Sequence, residues 1–255
     1  MLMLAAYAFV FYYFFVSPTS FRWKGIFGEP KFPAGYSIHG IDISHYQGEI
    51  DWDRLRNANI DGTPVRFIII KATEGLSMLD NNFNDNFYHA RENNFICGAY
   101  HFFVPSVAAK AQAEYFLKQV HLQAGDLPPV LDFEHKGTLS ALEIKKAALT
   151  WLQTVEAAYN VKPIIYTNYD FKLRYLSDSV FNEYPYWIAH YYVDTLRYRG
   201  PWKFWQHTDA GRVDGIRGDV DLNIYNGSMY DLQKLTIGRT DEEELQLLDD
   251  EMEVE

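Results

Sequence analysis

From residue 36 onward the chain alternates short apolar runs with amphipathic stretches, and this alternation most limits the folds open to it. The apolar runs fall at 38–44, 66–72, 97–103, 129–134, 163–167, 186–190, 202–206 and 220–225, each of strand length. Between the early ones, 51–59, 82–93, 108–120 and 141–159 carry apolar residues at three- and four-residue spacing, which reads as helix. Helices become scarce after about residue 176. Strand alternating with helix predicts a parallel sheet covered by helices. Eight strands in 255 residues, with helices mainly in the first five connections, predict an α/β fold. Its form is a modified TIM-like barrel whose last three strands close without full crossover helices.

The two ends do not share this pattern. Residues 1–16 carry no charge and are almost wholly apolar, and the first charged residue is Arg22. With Ser17-Pro-Thr-Ser20 the segment is long enough to span a bilayer. A basic leading region and a small-x-small cleavage site are both missing, so 1–21 reads as a retained membrane anchor more than a cleaved signal. Arg22, Lys24 and Lys31 follow the segment and by themselves would hold the body on the cytoplasmic side; a start upstream of Met1 would remove that conflict with export. Residues 22–35, with Gly25, Gly28, Pro30, Pro33 and Gly35, read as a linker, 36–238 as the barrel domain and 239–255 as an acidic tail.

The net charge of -11 belongs mostly to that tail. Residues 239–255 hold nine acidic residues and one arginine, a net -8, which leaves -3 for the rest. A nearly neutral body without a basic cluster excludes nucleic acid as the expected partner. Cys97 is the single cysteine, in an apolar run, and reads as an inert buried thiol. Nineteen Tyr and six Trp are more aromatic material than a core needs, and sugar rings stack their C–H faces on such rings.

Asp132-Phe133-Glu134 closes the fourth apolar run. Side chains alternate along a strand, so Asp132 and Glu134 point to one face and Leu131 and Phe133 to the other. Two carboxylates about 6.6 Å apart along a strand each raise the cost of ionising the other, and one proton is retained near neutrality. A held proton beside a carboxylate suits glycosidic-bond cleavage, with Glu134 expected to hold it. Two acids on one strand cannot flank opposite faces of a sugar, as direct double displacement requires. Attack by a substrate group, or an inverting route with Asp42 or Asp221 as base, remains open.

In a barrel of this kind functional groups gather at the C-terminal strand ends. There lie Asp42 and Ser44, Lys71 and Glu74, Tyr100 and His101, Asp132 and Glu134, Tyr166 and Asn168, Trp187 and Tyr191, Trp205 and Gln206, and Asp221 and Asn223. Lys71 and Glu74 read as an ion pair at the barrel mouth. His101, His135, His190 and His207 could with the carboxylates form the metal site of a polysaccharide-modifying enzyme, but their spacing matches no ligand motif. A sugar-binding module without turnover is the other alternative; it has no need of a proton donor.

The runs Gly40-Ile-Asp-Ile-Ser-His-Tyr-Gln-Gly48, Ile70-Lys-Ala-Thr-Glu-Gly75, Gly98-Ala-Tyr-His-Phe102, Pro129-Val-Leu-Asp-Phe-Glu134, Tyr166-Thr-Asn168, Trp187-Ile-Ala-His-Tyr191, Trp205-Gln-His-Thr208 and Gly218-Asp-Val-Asp-Leu-Asn223 occur together and in order. In this the sequence resembles glycoside hydrolase family 25, the Chalaropsis-type muramidases, over about residues 38–225. The resemblance implies a cofactor-free and metal-free enzyme, monomeric, acting on peptidoglycan glycan strands in the cell envelope or outside the cell. It implies that Glu134 is the general acid and that Asp132 orients the substrate's 2-acetamido group as the internal nucleophile. Asp42 and Asp221 would line the same subsite, with Tyr166 near the acetamido group. Tyr100, His101, Asn168, Trp187, Tyr191, Trp205, Gln206 and Asn223 are the expected substrate-binding residues.

Overall fold

The computed structural model describes residues 32–238; the apolar segment 1–21, most of the 22–35 stretch and the acidic tail lie outside them. The order is β1 (His39–Ile43), α1 (Trp52–Arg56), β2 (Asn59–Ile60), β3 (Thr63–Glu74), β4 (Met78–Leu79), α2 (Phe83–Glu92), β5 (Ile96–Phe102) and α3 (Ala109–Gln119). It continues with β6 (Val130–Asp132), α4 (Ala141–Tyr159), β7 (Ile164–Asn168), α5 (Tyr169–Tyr175), β8 (Tyr186–Ala189), β9 (Phe204–Gly211), β10 (Val220–Tyr225) and α6 (Met229–Leu235). The sheet runs β1-β10-β9-β8-β7-β6-β5-β3, and β3 pairs again with β1, closing an eight-stranded barrel. The short β2 and β4 pair only with the ends of β3.

Helices occupy the first five connections between barrel strands, as the periodicity predicts. α4 shows why. Ser140 caps it by accepting from Glu143 N, while the Glu143 carboxylate accepts from Ser140 N at 2.8 Å. Its buried stripe Ile144, Ala148, Trp151, Leu152 and Val155 faces the sheet, and Asn160 ends it in the left-handed region at φ 54°. The later connections differ. Residues 190–203 join parallel strands β8 and β9 without a helix. Residues 212–219 are too few for a crossover, which takes a dozen or more, and β10 turns back antiparallel to β9 and β1. Thus β10, the eighth barrel strand, runs opposite to the other seven, and β9, the seventh, extends to Gly211, past the predicted end at 206.

Side-chain parity divides the core in two. Phe67, Ile69, Val130, Ile164, Phe204 and Tyr225 fill the barrel interior. Ile41, Ile68, Ile70, Leu131, Ile165 and Leu222 face outward and pack under the helices with Trp151, Phe116 and Phe133. Gly40 is part of the inner layer because a Cβ there would collide with the Phe67 ring. Among the described residues no helix is long and apolar enough to cross a membrane.

Candidate active site

The polar ends of the inward-facing columns open into one cleft of about 530 Å³. Four columns are apolar below and polar above, Phe67-Ile69-Lys71, Val130-Asp132-Glu134, Ile164-Tyr166 and Phe204-Gln206, while Gly98-Tyr100-Phe102 ends in an aromatic ring. Asp42, Asp132, Glu134 and Asp221 all line the cleft. β10 enters reversed, so Asp221 lies at its start and pairs in register with Asp42 at the end of β1. A parallel eighth strand would have put Asp221 at the closed end.

Asp42 is held by a directional network. Its Oδ2 accepts from Gln206 Nε2 and from Asn223 Nδ2, both at 2.7 Å. Gln206 Oε1 accepts from Tyr166 Oη at 2.7 Å and Tyr191 Oη at 2.6 Å. Asn223 Oδ1 accepts from Trp187 Nε1 at 2.7 Å. Burial raises the Asp42 carboxyl to about 6, against the pull of Asn223, Gln206 and Asp221, which favour its ionised form. Asp221 is pushed well above the ordinary range by burial, then by Asp42 and Asp209. The pair therefore holds a proton in common, and the two amide donors on Asp42 Oδ2 favour the ionised form of Asp42 over that of Asp221.

Burial likewise pushes Asp132 well up, reinforced by Glu134 and opposed by Lys71. Glu134 is also raised by burial, moderated by His135 and Asn168. The deeper Asp132 is thus raised at least as strongly as Glu134, where the sequence singled out Glu134 alone. Asp132 Oδ1 is buried without a hydrogen-bond partner among the described residues. Lys71, the cation of this cleft, is engaged by Glu74 at 2.7 Å.

Not every expected residue is in the cleft. His101 faces outward, because its neighbours Tyr100 and Phe102 take the inward parity. Its Nδ1 meets Thr73 Oγ1 at 2.7 Å and its Nε2 meets Gln112 Oε1 at 3.1 Å, under a stacked Trp151. Gln112 Nε2 donates to Val104 O and Val107 O, so its Oε1 accepts and His101 carries its proton on Nε2. Trp205, next to inward Gln206, is also outward and donates to His190 O at 2.8 Å. Asn223 lies behind Asp42 rather than on the cleft wall, and Asn168 caps α5 by accepting from Phe171 N at 2.9 Å. Asn168 Nδ2 also reaches the Glu134 carbonyl at 3.5 Å. The four histidines are scattered, and no group of three or more possible ligands able to hold a metal ion occurs among the described residues.

Tyr46, Phe102 and Asp209 line the cleft without having been singled out. Phe102 has the parity of Tyr100 and was legible from it. Tyr46 stands at the rim, 81% exposed, on a short turn that His45 anchors through Asp80 at 2.6 Å. Asp209 lay beyond the predicted strand end.

A closed barrel with acids at its mouth and aromatic rings on the surrounding walls is a scaffold for cleaving glycosidic bonds. The model of Glycosyl hydrolases family 25 matches residues 41–216, and the chain belongs to that family; it is a glycoside hydrolase. Over 209 residues it is 46% identical to YegX of Escherichia coli strain K12, covering 82% of this chain and 76% of that one. It is 35% identical over 216 residues to lysozyme M1 of Streptomyces globisporus, covering 77% and 70%. The crystal structure of the Streptomyces coelicolor lysozyme superposes with a TM-score of 0.71 at 33% identity, covering 78% of this chain and 97% of that one.

Proposed function

We propose that this protein hydrolyses the β-1,4 bond between N-acetylmuramic acid and N-acetylglucosamine in peptidoglycan. The observation that carries the reading is the adjacency of Asp132 and Glu134 on one inward column, with Asp132 Oδ1 buried and unpartnered. An acetamido N–H is a donor suited to that oxygen. Accepting it favours the ionised form of Asp132 and leaves the shared proton on Glu134. Glu134 gives this proton to the leaving glycosidic oxygen as the acetamido carbonyl oxygen attacks the anomeric carbon and the glycosidic bond breaks. Glu134, now a carboxylate, takes a proton from water; the water oxygen adds to the anomeric carbon and the oxazolinium ring opens. Asp42 and Asp221 line the floor as one ion sharing a proton, and Tyr166 lies on the wall above it. Similarity to a protein named lysozyme M1 supports a lysozyme activity. This substrate lies in the cell envelope or outside the cell, and residues 1–21 would tether the enzyme there.

Mass spectrometry of fragments released from purified peptidoglycan tests the proposal. Products ending in reducing muramic acid are expected. Products ending in reducing glucosamine, or no release, would overturn it.

A further inference from the structure

Beside the carboxylate cleft lies a second cavity of about 490 Å³, which shares Glu134 and Tyr191 with it as a common wall. It is built by the helix-free connection 190–203 and the start of α5. Its surface is mainly apolar, from Tyr169, Ala189, Tyr192 and Val193, and its charged residues are Arg197, Asp170 and the shared Glu134. His190 stacks on Tyr169 with ring centroids 4.4 Å apart and planes 1° from parallel, making one rigid wall. Burial and the nearby Arg197 lower the His190 pKa, so the imidazole is neutral near neutrality. Tyr192 adopts a left-handed φ of 59°, costly for a bulky side chain, while its hydroxyl donates to Asp209 at 2.7 Å. That turn directs Tyr191 to the shared wall.

The two cavities differ in charge. The first holds five carboxyl groups, of Asp42, Asp132, Glu134, Asp209 and Asp221, and its lysine is occupied by Glu74. An anionic substituent is repelled there. Arg197 is exposed and makes no ion pair among the described residues. We infer that the second cavity binds the acidic peptide stem that peptidoglycan carries on its muramic acid. Arg197 takes a stem carboxylate, and the aromatic wall takes the small apolar side chains beside it. The inference rests on the muramidase reading, since a stem reaches this cavity only from a sugar in the neighbouring cleft.

The test compares the full chain and its Arg197→Ala variant on two walls. One is intact peptidoglycan; the other is the same glycan after an amidase has removed the stems and left the lactyl carboxylates. Arg197→Ala is expected to lose about tenfold in kcat/KM on the intact wall, the size of one charge-assisted contact, and nothing on the stripped glycan. Val193→Asp, which places a negative charge in the cavity, is expected to show the same selectivity. Equal losses on both walls would assign Arg197 to the lactyl acid and overturn the stem assignment, as would no loss on either. Calorimetric binding of a free lactyl-peptide stem, weakened by Arg197→Ala, provides a readout independent of cleavage. Wild-type protein that binds the stem but cuts neither wall would overturn the muramidase reading instead.

Discussion

The indole Nε1–H of Trp187 donates to Asn223 Oδ1 at 2.7 Å, and this bond decides how Asn223 faces Asp42. An indole nitrogen can only donate, so it must meet the amide oxygen. The Asn223 NH₂ group is therefore turned to Asp42, which receives it as a carboxylate. Trp187→Phe removes the constraint and leaves a buried amide oxygen unpaired. A loss of about 1–3 kcal/mol in unfolding free energy is expected in denaturant titrations. An unchanged midpoint would mean that the amide is held by something else.

Glu134→Gln keeps the shape of the cleft and removes the proton. Cleavage, followed as turbidity loss of a wall suspension, should fall by at least about a hundredfold to ten-thousandfold. The melting temperature should not fall, because the variant also removes an acid whose ionisation its half-buried position disfavours. A folded variant with near-normal activity would remove Glu134 from its proposed role.

Four acids of the cleft, Asp42 and Asp132 buried and Glu134 and Asp221 half-buried, make stability depend on pH with a definite sign. Asp42, Asp132, Glu134 and Asp221 all titrate above their ordinary values in the folded chain. The folded state then binds protons that the unfolded state has released. Their stabilising contribution is full below the unfolded carboxyl range and is lost as pH rises through the folded values, about 6 for Asp42. His101, lowered to about 4 by burial, works the other way and is lost only as pH falls from 6.5 toward that value. Lys172, lowered to about 8 by burial, opposes the acids only from about that pH upward, so the melting temperature should drop between neutral and roughly pH 8. Asp221→Asn retains a donor toward Asp42 and removes one titration. It should flatten that drop and raise the melting temperature at alkaline pH, while reducing activity.

His101 belongs to the outer core, where it links Thr73 to Gln112. His101→Ala should cost about 2–4 kcal/mol through a cavity and an unpaired Thr73 hydroxyl, Gln112 Oε1 keeping its bond from Val104 N, with activity per folded molecule unchanged. A selective rise in KM at unchanged stability would return His101 to substrate binding.

The placement of His101 and Trp205 follows from a rule already present in the chain. Adjacent strand residues face opposite ways, so Tyr100 and His101, or Trp205 and Gln206, cannot both line one cleft. Asp132 and Glu134 pass the same parity test and do line it. Asn168 is harder to read, because a residue ending a strand can cap the next helix as readily as face a ligand.

By itself the sequence determined what is local: the strand and helix periods, the parity of each inward column, and the carboxyl pair at and just past the end of β6. Each depends on backbone geometry within a few residues. Only the tertiary structure decided that β10 runs backward, which sets Asp221 opposite Asp42 at the open end. It alone turned Trp187, Asn223 and Gln206 into one network on Asp42, and opened a second cavity beside Glu134. These depend on how a closed ring of strands aligns residues up to 181 positions apart, and no local pattern encodes that register.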